Sequence, residues 1–302
     1  MHRFQPQAWW GIYSALFTPY DRAGRINEAM LEKIVEYHLK SGLAGFYLTG
    51  TTGESLLLSE DERKQVVERV IKANAGRGKV VVHVGHIATA VAVRLARHAE
   101  KAGADAVSAI NPILFGTTFD QMFRHYRTIA GATDLPFFMY SFAPAGGEVI
   151  PEDNARFFAI KNAVGLKYTG TNLYALQQLS RLVAKPHVFF SGMDQFCLAA
   201  RTFGVRASIG MNQNFLPHAF VQVYRLYDRN RVPAAARVQE QINRIIFFLS
   251  AYRDHSYTKA VMRYIGFDCG GFRLPYKQLS EKEYCAFARQ LEKFPLLHKS
   301  NR

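Results

Sequence analysis

One pattern constrains this chain more than any other. A short apolar run is followed by a polar–apolar helical stretch, and the pair recurs along most of the sequence. The runs fall at residues 11–16, 44–49, 80–84, 106–111, 136–140, 163–167, 187–191 and 207–210, which makes eight. Most are apolar at successive rather than alternate positions, as strands of a parallel sheet buried on both faces should be. Between them the period changes. After Asn27, Leu31, Val35 and Leu39 recur every four residues, with Met30 and Ile34 widening the stripe. Ser59 and Glu62 form a capping box ahead of Val66, Val67, Val70 and Ile71. Further helical stretches are expected near 89–102, 118–129, 151–160, 172–182, 194–202 and 218–228.

Eight strands alternating with helices predict an α/β fold of the (β/α)8 TIM-barrel type, with functional groups where strands end and the next loops begin. A doubly wound open sheet is the competing architecture, but no G-x-G-x-x-G follows the first strand. Beyond residue 231 the strands stop. Val238, Ile242, Ile245, Ile246 and Leu249 space as a helix, and 257–265 and 281–291 read as two more. The expected organisation is a barrel over 1–230 and a helical extension over 231–302, packed on the barrel.

Composition narrows the function classes. The chain has 302 residues, 49% hydrophobic and 21% charged, which excludes a disordered polyelectrolyte and a coiled coil. Its formal charge is +14, from 38 Lys and Arg against 24 Asp and Glu. The excess is dispersed, as at Arg63 and Lys64, Arg94 and Arg97, Arg201 and Arg206, and Arg229 and Arg231. No basic block reaches five residues, so no nucleic-acid partner is expected. Solvated helix faces, and a field favouring anionic small molecules, account for the charge. Cys197, Cys269 and Cys285 are too few and too scattered for a disulfide framework or a C-x-x-C zinc site. The start, Met1 to Pro6, has no apolar segment of the signal-peptide kind, and no run approaches the ~18 residues of a membrane span. A soluble, cytoplasmic protein with no membrane partner is the expectation.

Candidate chemistry lies at the strand ends. The second strand closes with Gly50-Thr51-Thr52-Gly53-Glu54, a tight turn in which backbone N–H groups and two hydroxyls can converge on a carboxylate. It is not a P-loop, since no Gly-Lys-Thr/Ser follows, and such a turn can also be an ordinary β-to-α connection. The sixth strand ends Val164-Gly165-Leu166-Lys167. An ammonium inside a barrel loses hydration, which favours the neutral amine that attacks carbonyls; a lysine snorkelling from the rim is the alternative. The fifth strand ends at Tyr140, next to the sixth in a barrel, so its phenol can exchange protons with a group bound to Lys167, or simply fill the top layer. The seventh and eighth strands open into Gly192-Met193-Asp194-Gln195 and Gly210-Met211-Asn212-Gln213. With no adjacent Lys or Arg these loops disfavour a phosphate and suit a polyhydroxylated ligand; two plain polar loops are the alternative. His83 and His86 flank the third strand's end but face differently and lack a third ligand, so no metal is expected.

Taken together, these residues resemble the pyruvate-dependent class I aldolase family that contains N-acetylneuraminate lyase and dihydrodipicolinate synthase. The resemblance runs through Gly11–Tyr20 with its Thr-Pro, the Gly-Thr-Thr-Gly-Glu turn, Val107-Ser108-Ala109-Ile110-Asn111-Pro112, Gly165-Leu166-Lys167 and Thr258-Lys259-Ala260-Val261-Met262. It implies that Lys167 is the lysine that forms a Schiff base with pyruvate or a 2-keto acid. It implies that Tyr140 relays protons during C–C cleavage or formation, and that Thr51 and Thr52 grip the keto-acid carboxylate. No cofactor is then needed, and a homotetramer is implied.

Within the family the chain is closer to N-acetylneuraminate lyase. Dihydrodipicolinate synthases carry an arginine shortly after the strand-five tyrosine, whereas residues 141–147 here contain none. Thr169, Gly192 and Asp194 match the sugar-hydroxyl side of a lyase site. Gln195 stands where the lyase has Glu, Met211 where it has Ser, and Ile113-Leu114-Phe115 lacks the tyrosine that family members often offer to a neighbouring subunit. The expected activity is cleavage or formation of a 2-keto-3-deoxy sugar acid with pyruvate as one product. A dihydrodipicolinate synthase-like or dehydratase outcome on the same imine is the alternative.

Overall fold

The computed structural model describes residues 4–112, 116–142 and 148–297; the Ile113-Leu114-Phe115 segment and residues 143–147 lie outside them. Eight parallel strands close into one barrel in sequence order: β1 (Gly11–Ala15), β2 (Gly45–Leu48), β3 (Lys79–His83), β4 (Ala106–Ile110), β5 (Phe137–Phe142), β6 (Ala163–Thr169), β7 (Val188–Ser191) and β8 (Ala207–Gly210). β8 returns to pair with β1, Gly11 opposite Ala207. The expected TIM barrel is the observed fold.

The helices between the strands are α1 (Glu28–Lys40), α2 (Glu60–Asn74), α3 (Thr89–Ala102), α4 (Phe119–Ala130), α5 (Pro151–Arg156), α6 (Leu173–Leu182), α7 (Cys197–Thr202) and α8 (Pro217–Asp228). Their starts follow local chemistry. Ser59 and Glu62 make both halves of the capping box on α2, and Thr118 and Gln121 do the same for α4. Two expected helices begin or end in a tighter 3-10 turn. Asp194–Phe196 precedes α7, and Phe157–Ala159 follows α5. The extension consists of α9 (Val232–Ser250), α10 (Ser256–Tyr264) and α11 (Glu281–Leu291). Among the described residues no helix is long and apolar enough to cross a membrane.

Two apolar layers result. One lies between the sheet and its helices, and a smaller one fills the barrel with Tyr13, Tyr47, Val81, Phe138, Tyr140, Val188, Phe190 and Ile209. Trp9 closes the lower end, its ring centroid 5.1 Å from that of Phe138. Gly165 is required by this filling: a Cβ there would overlap the Phe138 ring and the Val188 carbonyl. Because side chains alternate along β6, Lys167 faces the same interior one layer higher.

Two strands run further than expected. β5 and β6 run two residues past Tyr140 and Lys167, because Ser141 and Phe142 pair in turn with Tyr168 and Thr169. The lysine and tyrosine therefore sit inside the barrel, one layer below its rim.

Candidate active site

Tyr140 and Lys167 are direct partners in the β5–β6 register. The Lys167 ammonium nitrogen lies 3.9 Å from the centre of the Tyr140 ring and 4.3 Å from that of Tyr47, and the residue is only 5% exposed. Two electron-rich ring faces thus take the place of lost water around the amine. Among the described residues no side chain or carbonyl accepts a hydrogen bond from it. Packing against the two rings holds the amine in place.

Tyr47 was not singled out in the sequence, since it sits in an apolar run whose every residue is buried. Its phenol donates to Ser108 Oγ on β4 at 3.0 Å, and burial pushes it well above its ordinary value, so it stays protonated. Inward placement by alternation from Gly45 is the signal that could have found it.

His83 completes this layer. Its ring centroid is 6.0 Å from that of Tyr47 and 6.1 Å from that of Tyr140. Nδ1 bonds the Thr49 carbonyl at 3.0 Å, and Nε2 meets the Ile110 N–H at 3.2 Å. Burial and the nearby Arg63 pull its imidazole down to about 3, so it is neutral, with the proton on Nδ1. Among the described residues no three His, Cys, Asp or Glu side chains converge as a metal site.

The Thr51–Thr52 turn sits above. It begins at Thr49 and ends at Glu54, both at positive φ (49° and 62°). That backbone is uncommon for side chains other than glycine's, and the surroundings hold it in place. The Thr49 hydroxyl donates to the His83 carbonyl at 2.9 Å, and the Thr18 hydroxyl to the Gly53 carbonyl at 2.8 Å. Glu54 accepts from Lys259 Nζ at 2.6 Å and from the Arg273 N–H at 2.9 Å. Thr51 is left exposed and Thr52 half-buried, both on a cavity of about 370 Å3 at the barrel mouth. His83, Ile110, Asn111, Phe142, Met211, His255 and Phe272 also line it. Lys167 and Tyr140 lie below that lining, the His83 ring forming the link.

The loops after β6, β7 and β8 form a second group. Asp194 is fully buried, with Oδ2 accepting from the Asn212 N–H (2.8 Å) and Nδ2 (2.7 Å). Oδ1 has a 3.5 Å contact from Gln213 Nε2, and the Met211 backbone also donates to the carboxylate. Burial raises this carboxyl, while Asn212's bonds and the Lys167 charge oppose the shift. Thr169 Oγ1 is buried with no partner and lies against Gly192, where a Cβ would overlap it. Gln195 is half-buried and its carbonyl accepts from Asn243 of α9 at 3.3 Å. Thr169 and Gly192 are thus in contact, Asp194 and Gln195 follow in the loop after β7, and none of the four lines the Thr51–Thr52 cavity.

A parallel barrel with a ring-flanked lysine one layer below its mouth, without a hydrogen-bond partner among the described residues, fits a class of protein, the enzymes that work through a lysine–carbonyl adduct. Relatives in sequence and structure agree with that class. The Dihydrodipicolinate synthetase family model matches residues 8–294, and the chain belongs to that family. The N-acetylneuraminate lyase of Rhizobium meliloti (strain 1021) is 32% identical over 277 residues, 91% of this chain and 92% of that protein. That of Clostridium perfringens is 30% identical over 285 residues, 94% of this chain and 98% of its own. Among solved structures, the Clostridium difficile protein CdNal, in complex with mannosamine, superposes with a TM-score of 0.89 at 27% identity, covering 94% of this chain and 99% of its own. Proteus mirabilis N-acetylneuraminate lyase superposes at 0.90 with 25% identity, covering 95% and 99%. Dihydrodipicolinate synthase from Aquifex aeolicus shares the fold at a TM-score of 0.89 and 24% identity, covering 97% and 100%. The chain is an enzyme of the class I lyase type, similar over its length to N-acetylneuraminate lyases.

Proposed function

We propose that this enzyme cleaves, or forms, a 2-keto-3-deoxy sugar acid through an imine on Lys167, with pyruvate as one product and N-acetylneuraminate as the leading substrate. The observation that carries the reading is the pairing of a buried amine, without a hydrogen-bond partner among the described residues, with a phenol-bearing ring 3.9 Å away. Lys167 Nζ adds to the C2 carbonyl and water leaves, giving a protonated imine. Tyr140 takes the proton of the C4 hydroxyl as it passes its own phenolic proton to the keto-acid carboxylate. The C3–C4 bond breaks, its electrons entering the imine to give an enamine, and an aldehyde departs. Protonation at C3 and hydrolysis release pyruvate and restore the amine. No metal or organic cofactor enters this scheme.

Thr51 and Thr52 are proposed to hold the keto-acid carboxylate. Thr169, Gly192, Asp194 and Gln195 are proposed to face the hydroxyls of the aldehyde half. One fact supports the latter: among the described residues Thr169 Oγ1 has no hydrogen-bond partner. Homotetrameric assembly and a cytoplasmic place of action belong to the same reading; sedimentation velocity tests the first. For the chemistry, borohydride reduction with pyruvate should add a single reduced pyruvyl group at Lys167. Absence of that mass, or no pyruvate released from any 2-keto-3-deoxy acid, would overturn the assignment.

A further inference from the structure

The cavity that receives a keto-acid carboxylate has no cation of its own. Among the described residues no Lys or Arg lines it, and its one carboxylate, Glu54, is engaged by Lys259. A charge does stand immediately behind its wall. Arg63 of α2 is 2% exposed, and its guanidinium donates to the carbonyls of two lining residues, His83 (Nη2, 2.6 Å) and Gly85 (Nη1, 3.1 Å). Its Nε has no partner. Among the described residues no carboxylate forms an ion pair with it. Glu60, one turn earlier on the same helix, is held by Arg94 at 2.8 Å and Lys64 at 3.1 Å. Burial pulls Arg63 down to about 10, so it keeps its charge at neutral pH.

Such an arrangement is unusual. A fully buried cation without a counter-ion is costly, and a purely structural tie between two carbonyls needs no charge. The same His83 carbonyl also receives the Thr49 hydroxyl at the foot of the Thr51–Thr52 turn. Arg63 therefore touches the turn through one shared acceptor and adds a positive potential that water screens little.

We propose that Arg63 is a positioning residue that makes this cavity select ligands carrying a carboxylate, by fixing the His83–Gly85 wall under the Thr51–Thr52 turn and by supplying the missing counter-charge. The inference rests on the reading that the cavity takes the carboxylate of a 2-keto acid.

The test compares pyruvate with pyruvamide, its uncharged analogue, as the concentration giving half-maximal borohydride trapping on Lys167. The wild-type protein should favour pyruvate. Arg63→Met should lose roughly tenfold of that preference, whereas Arg63→Lys should keep the preference while both ligands weaken together. Equal weakening of both ligands in Arg63→Met, or an unchanged preference, overturns the proposal. If the Met variant does not fold, loss of the preference in Arg63→Lys overturns it and retention supports it. A wild-type protein that traps no pyruvate sinks the imine reading instead, which keeps the two failures distinct.

Discussion

Lys259 and Glu54 lie 205 positions apart and meet in a 2.6 Å ion pair, each side chain only 1% exposed. Lys259 donates to two carbonyls as well, Thr18 at 2.7 Å and Gly271 at 3.1 Å. One ammonium thus joins α10, the loop after β1 and the turn after β2. The helical extension is fastened to the rim of the site by this contact. Burial depresses the lysine, and Glu54 is the main force opposing that shift.

Breaking the pair from one side should be expensive. Lys259→Met leaves the Glu54 carboxylate buried without its counter-ion, and a loss of about 3–5 kcal/mol is expected. The double variant Lys259→Met, Glu54→Gln should lose less than the sum of the two singles, since no bare charge remains. Urea unfolding of the four proteins measures both; additive losses would show that the contact is incidental.

Tyr140→Phe separates the ring from the phenol. The ring face that flanks the Lys167 amine is retained, so imine trapping with pyruvate should persist at near wild-type concentration. Turnover should fall by about 10²–10⁴-fold, the usual range for a lost acid–base group. Lys167→Met should abolish trapping altogether. Pyruvate release measured beside reductive trapping reads both steps, and a Phe variant that turns over normally would remove Tyr140 from the mechanism.

The barrel was legible because the repeat of buried strand and amphipathic helix is written in local periodicity. The placement of Lys167, Tyr140 and the Thr51–Thr52 turn towards one end of the barrel was legible for a related reason, as polar groups near the ends of apolar runs. What escaped was anything decided by register or by distant sequence. β5 and β6 continue past the two key residues because the strands pair with each other, which neither run announces alone. Tyr47 was hidden in a run where every side chain is buried, and His83 was weighed only as a metal ligand. Arg63 read as part of a dispersed basic surface, next to the solvent-facing Lys64, although its side chain turns inward to two carbonyls. Lys259 was noticed within a motif, yet its partner could not be named across so long a separation.

Two buried histidines set an acid limit on stability. Burial pulls His83 down to about 3, and His38, bonded to Ser14 Oγ and the Asn214 carbonyl, to about 4, from an ordinary 6.5. Both folded values lie below the unfolded ones, so the unfolded chain takes up protons first as pH falls. Stability is complete above about 6.5 and is lost through the window from 6.5 towards 3, by roughly 1.4 kcal/mol per pH unit for each histidine. Urea midpoints should therefore be lower at pH 5 than at pH 7.5, and His38→Gln should flatten the slope. A midpoint constant across that range contradicts the shifts.

Thr169 offers the sharpest separation of fold from substrate reading. A hydroxyl buried without a partner is a cost to the empty protein, because the water it gave up is not replaced. Thr169→Val keeps the shape and removes that hydroxyl, so the thermal midpoint should stay level or rise. If Thr169 meets a sugar hydroxyl during turnover, the same change removes a bond formed only with substrate. The ratio of kcat/KM for N-acetylneuraminate to that for a short 4-hydroxy-2-keto acid should then fall by about 10- to 100-fold. A Val variant that loses stability, or that leaves the ratio unchanged, would assign Thr169 to packing against Gly192 alone.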